Sequence, residues 1–281
     1  MLNYINTQNY VNIEKTQAFL KKNHSFTLTG LTAFLRLLLL AEIARTKKVF
    51  FVTNTEQNAL KYKHDLEKLF DIQSKIFPYQ DASPYDGVSG NLYKYSQQIS
   101  ILQSLHSENL LLIPVKALTE KFPAVDFFEK NSFEIKVDGE IDLSTLPRKL
   151  VSMGYKRVTM VSDIGEFSVR GDIIDIYTHT DNGKPVRIEL WGDTVVDIRY
   201  FNNETQRSIK KTKEITILPV YKFVLDERNI KDFKQVVTEL VKEKDYGENA
   251  NIAQELLNET IEKVENEGYF DGIEYLQTYF N

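Results

Sequence analysis

The sequence predicts an α/β chain in two parts, a helix-covered parallel sheet interrupted by a smaller α+β domain that contains an antiparallel meander. Two short continuous apolar runs, Val49 to Thr53 and Leu110 to Pro114, alternate with helical stretches, the pattern of strands buried on both faces. From about Phe122 the texture changes to period-two alternation, as in Phe133-Glu-Ile-Lys-Val137. Asp181-Asn182-Gly183 and Trp191-Gly192-Asp193 then punctuate a series of strands with hairpin turns.

In chain order, Ser25 to Thr29 is a short β-prone run that feeds a leucine-rich helix, Thr32 to Ala44. Val49 to Thr53 is a buried strand, and Thr55 to Phe70 an amphipathic helix with apolar Ala59, Leu60, Leu66 and Leu69. The turn-rich stretch from Phe77 to Gly90 precedes a helix from about Leu92 to Leu105 and the strand Leu110 to Pro114. Leu143 to Met153 reads as a helix closed by Gly154. Three strands follow as a meander: Glu166 to Thr178, Pro185 to Trp191 and Val195 to Phe201. On the middle one Val186, Ile188 and Leu190 share a core face, leaving Arg187, Glu189 and Trp191 on an available one. Ile215-Thr-Ile-Leu-Pro219 is expected to return to the first sheet, with helices at Ile230 to Val241 and Ala250 to Glu265. The expected domains are thus 1–121 plus 215–281, and 122–214.

The 281 residues, 42% of them hydrophobic, suffice for a proper core. The absence of cysteine excludes a disulfide framework, a thiolate metal site and a cysteine nucleophile, and points to a cytoplasmic protein. No secretory signal is visible from Met1 to Lys15, and the run Leu37 to Ala41 is too short to span a bilayer. A net charge of -5 argues against binding driven by nucleic-acid phosphates, although Lys184 to Lys213 is locally basic and Asp226 to Glu274 acidic.

The segment Gly30-Leu-Thr-Ala-Phe-Leu-Arg-Leu37 lies where a strand-to-helix turn would carry the phosphate-binding pattern G-x-x-x-x-G-K-[ST]. Leu35 replaces the second glycine, Arg36 the lysine and Leu37 the metal-binding hydroxyl. A Cβ and bulk at Leu35 obstruct the close backbone approach, and Leu37 cannot hold a metal. An ordinary core helix fits the same residues. His24, His64, His106 and His179 show no ligand spacing and are expected as surface or half-buried residues. Asp172 and Asp175, three apart in one regular strand, face opposite sides and form no acid/base pair. No catalytic constellation, metal site or cofactor is expected.

The run Gly165-Glu-Phe-Ser-Val-Arg-Gly-Asp-Ile-Ile-Asp-Ile-Tyr177 reads instead as a docking strand, with Gly171 allowing the backbone to bend beside a projecting Arg170. Arginine offers a rigid donor fork and is prominent in interface energetics. The competing reading pairs Arg170 with Glu166 or Asp172 on a solvated sheet, where it contributes little.

This run resembles the UvrB-like module of nucleotide excision repair, a family that includes the UvrB helicases and the Mfd-type transcription-repair coupling factors. Its other markers follow in family order over about residues 20–281. They are Thr29-Gly30, Phe50-Phe-Val-Thr-Asn54, Asn58-Ala-Leu60, Leu112-Ile-Pro-Val115 and Val186-Arg-Ile-Glu-Leu-Trp-Gly-Asp193. Thr205-Gln-Arg207, Ile217-Leu-Pro219 and Gly272-Ile-Glu-Tyr275 are similar to further family segments, the last in its coupling-factor form. The altered loop Gly30, Leu35, Arg36, Leu37 and the short stretch between Pro84 and Leu92, too short for a damage-probing hairpin, favour the coupling-factor branch.

The resemblance implies a degenerate RecA-like, P-loop-type domain split by a second domain that docks UvrA. It implies a non-enzymatic N-terminal adaptor region, with the ATP-dependent translocase, the RNA polymerase contact and the DNA contact in other domains of the full-length factor. By position it assigns docking to Arg157, Arg170 and Tyr177, with Phe167 as the alternative exposed aromatic or a core residue. Restraint of the translocase is a further implied role. An ATP-dependent UvrB-type helicase fragment is the alternative.

Overall fold

The computed structural model describes residues 27–280 except 28, 81–90, 125, 180–182 and 271. The chain divides into two compact units, one comprising Met1–Tyr79 and Ile101–Glu120, the other Gln80–Ser100 and Lys121–Asn281. The first contains helix α1 (Ala33–Ala44), strand β1 (Val49–Thr53), helix α2 (Glu56–Phe70), strand β2 (Lys75–Ile76) and strand β3 (Leu110–Pro114). Their sheet has the order β1-β3-β2 and is parallel throughout, as the continuous apolar runs predict. Central β3 is buried at every position. Thr32 and Thr55 start the two helices by accepting hydrogen bonds from the Leu35 and Asn58 amides, which satisfies donors the first helical turn leaves unpaired. The leucine run then packs Leu37, Leu38 and Leu40 against Ala59, Leu66, Leu110 and Leu112. Most of the expected strand Ser25 to Thr29, and the turn-rich segment's 81–90, lie outside the described residues.

The second unit is built on a six-stranded sheet. Helix α3 (Leu92–Gln103), of which the residues up to Ser100 belong to this unit, is followed in it by α4 (Phe127–Asn131), strand β4 (Phe133–Lys136) and helix α5 (Leu146–Ser152). Then come β5 (Lys156–Arg157), β6 (Glu166–Arg170), β7 (Ile173–Ile176), β8 (Val186–Trp191), β9 (Thr194–Phe201) and β10 (Ser208–Thr212). They order as β10-β9-β8-β7-β6-β5, antiparallel except for the β5–β6 pair. The single strand expected from Glu166 to Thr178 is two strands folded back on each other, because Gly171 takes a φ of 57° that a residue with a Cβ adopts only at a cost. One face of this sheet packs Phe167, Ile174, Ile176, Val186, Ile188 and Ile198 against Leu146, Leu150 and Tyr155.

Strand β11 (Glu214–Ile217) does not return to the parallel sheet. It pairs antiparallel with β4, with Ile215 opposite Ile135, and both side chains enter the core of the six-stranded sheet. Alternation identifies Ile215 and Ile217 as half-buried strand residues but carries no information about which strand they join. The remaining helices α6 (Glu227–Glu243) and α7 (Ala250–Asn266) cluster in the second unit around Phe223, Phe233, Ile273 and Phe280. Phe233 and Phe280 stack at 4.7 Å between ring centroids.

Two tight sites fasten the segment after β11 to the second unit. A Cβ built on Gly154, whose φ is 92°, would lie 2.8 Å from the Tyr221 ring, so the glycine that ends the α5 region is demanded by both backbone and packing. His179 is the second and corrects the surface or half-buried placement: it is 2% exposed and its Nε2 lies 3.1 Å from the Val220 carbonyl oxygen. Nearby, the Tyr155 hydroxyl donates to the Leu218 carbonyl at 2.6 Å. Burial pushes the His179 imidazole down from 6.5 to about 4, so it is neutral at pH 7, with Nε2 donating to Val220.

Gly154→Ala is expected to destabilise the chain by at least about 1 kcal/mol in urea denaturation. For His179 the folded pKa is depressed, so its contribution is fully present above about pH 6.5 and is lost as pH falls towards 4. Wild-type chain should lose about 2 kcal/mol more than His179→Phe between pH 7 and pH 5 in the same assay.

Candidate partner-docking face

The outer face of the six-stranded sheet follows from strand alternation. Residues whose neighbours fill the core put their own side chains on the opposite side, and register aligns them in rows. One row runs Ser168, Asp175, Arg187, Arg199 and Lys211; the next runs Arg170, Ile173, Glu189 and Asp197. Opposite charges meet chiefly between the two rows. Arg199 binds Glu189 and Asp197, and Lys211 binds Asp197 at 2.8 Å. The Lys211 ammonium foremost, with Arg199, holds the Asp197 carboxyl below its ordinary value.

Asp175 is the centre of the first row. Its side chain has no exposure, yet it accepts from Arg187 Nε at 2.7 Å, from Arg187 Nη2 at 2.8 Å and from Arg170 Nη2 at 2.9 Å. Hydrogen bonding to this carboxylate raises the Arg187 guanidinium above its ordinary pKa. Arg187 also lies over the Phe201 ring, 4.7 Å from its centroid, and is itself only 16% exposed. Phe201 joins Val161, Ile164 and Tyr177 in a small apolar cluster, which gives the outer face a core of its own at one end. The two arginines therefore differ in kind. Arg187 is sealed in, whereas the Arg170 side chain is 52% exposed and commits one of its nitrogens to the protein.

The other residues singled out for docking fall elsewhere. Arg157 is exposed on edge strand β5, in register with Phe167, so it leaves the sheet on the side opposite Arg170. Phe167 is fully buried in the main core, and Tyr177 is buried in the outer cluster, where its hydroxyl donates to the Gly183 carbonyl at 2.9 Å. Neither ring is presented on the surface. The outer face exposes Trp191 instead, which is 81% accessible and is the chain's single tryptophan. Among the described residues Glu166 pairs with no arginine; it accepts hydrogen bonds from the Ser162 and Asp163 amides. The partner of Arg170 is Asp175 because the hairpin at Gly171 places residues 170 and 175 on one side, a relation hidden in a one-strand reading.

In the first unit Gly30 has a φ of 74°. Leu37 is 5% exposed and Leu35 packs beside it against the same core, while Arg36 is exposed. Arg36 lines a cleft of about 550 Å³ together with Phe34, Asn54, Lys61 and Tyr62. Among the described residues, no group of three His, Asp or Glu is placed to hold a metal ion. No helix among them is long and apolar enough to cross a membrane.

The burial difference between Asp175 and Arg170 separates architecture from availability. Asp175→Ala leaves a nearly buried guanidinium without its carboxylate and is expected to cost about 3 kcal/mol of folding stability. Arg170→Ala removes a half-exposed partner and should cost less than about 1 kcal/mol. Urea titrations of the two variants beside the wild type measure both.

Residues 133–223, which contain the six-stranded sheet and β11, match the model of a family described as the UvrB interaction domain. A transcription-repair-coupling factor of Borreliella burgdorferi is 29% identical over 235 residues, covering 81% of this chain and 20% of that protein. One from Staphylococcus aureus is 31% identical over 213 residues, covering 74% of this chain and 18% of that protein. The chain thus spans about a fifth of the length of the curated relatives it matches. A region that matches the UvrB interaction domain thus lies inside a longer segment similar to part of the transcription-repair-coupling factors.

Proposed function

We propose that this chain is a non-catalytic adaptor region of a cytoplasmic transcription-repair coupling factor, and that the outer face of its six-stranded sheet docks UvrA. The observation that carries the reading is Arg170, which is half exposed and anchored on a buried carboxylate within the UvrB interaction domain. Arginine and tryptophan are the residue types that dominate interface energetics, and Trp191 lies on the same face. Arg157, at the sheet edge, contributes only if the partner wraps around β5. Phe167 and Tyr177 support the face from beneath. Recruitment of UvrA to a stalled RNA polymerase then requires other domains of the full-length factor, which contact the polymerase and DNA and drive translocation with ATP.

In this reading the first unit belongs to a degenerate RecA-like domain. Leu35 and Leu37 are spent on its apolar core, which leaves the loop neither the close backbone approach nor the hydroxyl that ATP and magnesium need. The docking domain is 122–214 completed by β11. Restraint of the translocase by the same region is compatible with this role.

Calorimetric titration with purified UvrA tests the proposal. Wild-type chain should bind, and Arg170→Ala should lose about 2 kcal/mol or more, roughly a thirtyfold rise in Kd. Incorporation of 5-fluorotryptophan gives one fluorine signal from Trp191, which should shift on complex formation. A folded Arg170→Ala with unchanged affinity would overturn the assignment, and an ATP titration that shows binding would overturn the non-catalytic reading.

A further inference from the structure

We infer that Gln206, Arg187 and Asp175 form a relay that fixes the Arg170 guanidinium in its docking orientation, so that Gln206 is a positioning residue for a contact it never touches. The inference rests on the docking role of Arg170 proposed above. A lone arginine at the end of a strand has several rotatable bonds and loses their freedom when it binds, which weakens binding unless the loss has already occurred. A single exposed ion pair is a poor restraint. Here the acceptor itself is immobile: Asp175 has no exposure, and a two-point grip from Arg187 fixes both of its oxygens, one of which also accepts from Arg170.

Arg187 is in turn held from two further directions. The Phe201 ring lies beneath it, and Gln206 Oε1 accepts from Nη2 at 3.1 Å. The orientation of the Gln206 amide is set by chemistry, because its Nε2 donates to the Asn203 carbonyl at 2.8 Å and to the Val161 carbonyl at 3.4 Å. Only a nitrogen can donate to two carbonyls, so the oxygen must face Arg187. The backbone of Gln206 is held as firmly. It has a φ of 58°, its amide donates to the Asn202 carbonyl at 2.7 Å, and the Asn202 side chain accepts from the Glu204 and Thr205 amides. A left-handed glutamine without a Cβ-free alternative is an expensive choice for a turn, and the amide grip on Arg187 gives it a purpose. The Thr205-Gln-Arg207 segment thereby acquires a physical role that its position in a loop does not disclose.

A relay makes a coupling prediction that a merely structural turn does not. Gln206→Ala should raise the Kd for UvrA about fivefold in the wild-type background and leave it nearly unchanged in Arg170→Lys, where no planar fork remains to be positioned. Equal losses in both backgrounds, or no loss in the first, would overturn the relay. The guanidinium nitrogen spectra of the isolated chain supply a readout without partner: rotation of the Arg170 guanidinium should be hindered in wild type and released in Gln206→Ala and Asp175→Asn. Free rotation in the wild type also overturns the relay. Hindered rotation together with absence of UvrA binding would sink the docking reading and leave the positioning device standing.

Discussion

The second unit is organised around one buried carboxylate. Removing Asp175 from water costs several kcal/mol, and the sheet can retain the charge only because two guanidinium groups converge on it. That convergence constrains the topology. β7 must lie between β6, which supplies Arg170, and β8, which supplies Arg187, and the register must set Asp175 directly opposite Arg187. A slip of one residue would turn the carboxylate into the core formed by Ile174 and Ile176. The ion pair therefore specifies pairing more than it adds net stability, while the apolar face supplies the driving force: full burial of Phe167, Ile174 and Ile188 contributes roughly 1.5–3 kcal/mol each.

The same arrangement divides the outer face into a supported end and an open end. Val161, Ile164, Tyr177 and Phe201 give the supported end a small core, and Arg187 lies against it. Arg170 and Trp191 are at the open end, near the turns that close β6–β7 and β8–β9. The tip of the β8–β9 hairpin is itself held, since the Ile141 amide donates to the Asp193 carbonyl at 2.8 Å and Glu140 bridges Thr194. An exposed tryptophan on a hairpin held at its tip and an arginine paired with a buried acid both offer contact area at this end.

The first unit shows the reverse economy of residues. Where a phosphate loop uses small and hydroxylated positions at the start of its helix, Leu35 and Leu37 here strengthen the packing of α1 on the parallel sheet. The same positions cannot be both bulky, as core packing uses them, and open to a close backbone approach.

Much of the local structure is determined by the sequence alone. The buried parallel strands, the capped helices at Thr32 and Thr55, the core and available faces of β8, and the exposed Arg170 all follow from periodicity and turn chemistry, which act over a few residues. Three features were decided only by the tertiary structure. The fold-back at Gly171 converts an expected single strand into β6 and β7, and this alone brings Arg170 to Asp175. β11 joins β4 because partner choice depends on which apolar faces complete a common core, a relation between residues about eighty apart in sequence. Phe167, Tyr177 and His179 are buried, and Gln206 meets Arg187, through contacts between strands and loops that no spacing encodes. Short-range pattern sets which face a residue takes, whereas the identity of the groups waiting on that face is settled by long-range packing.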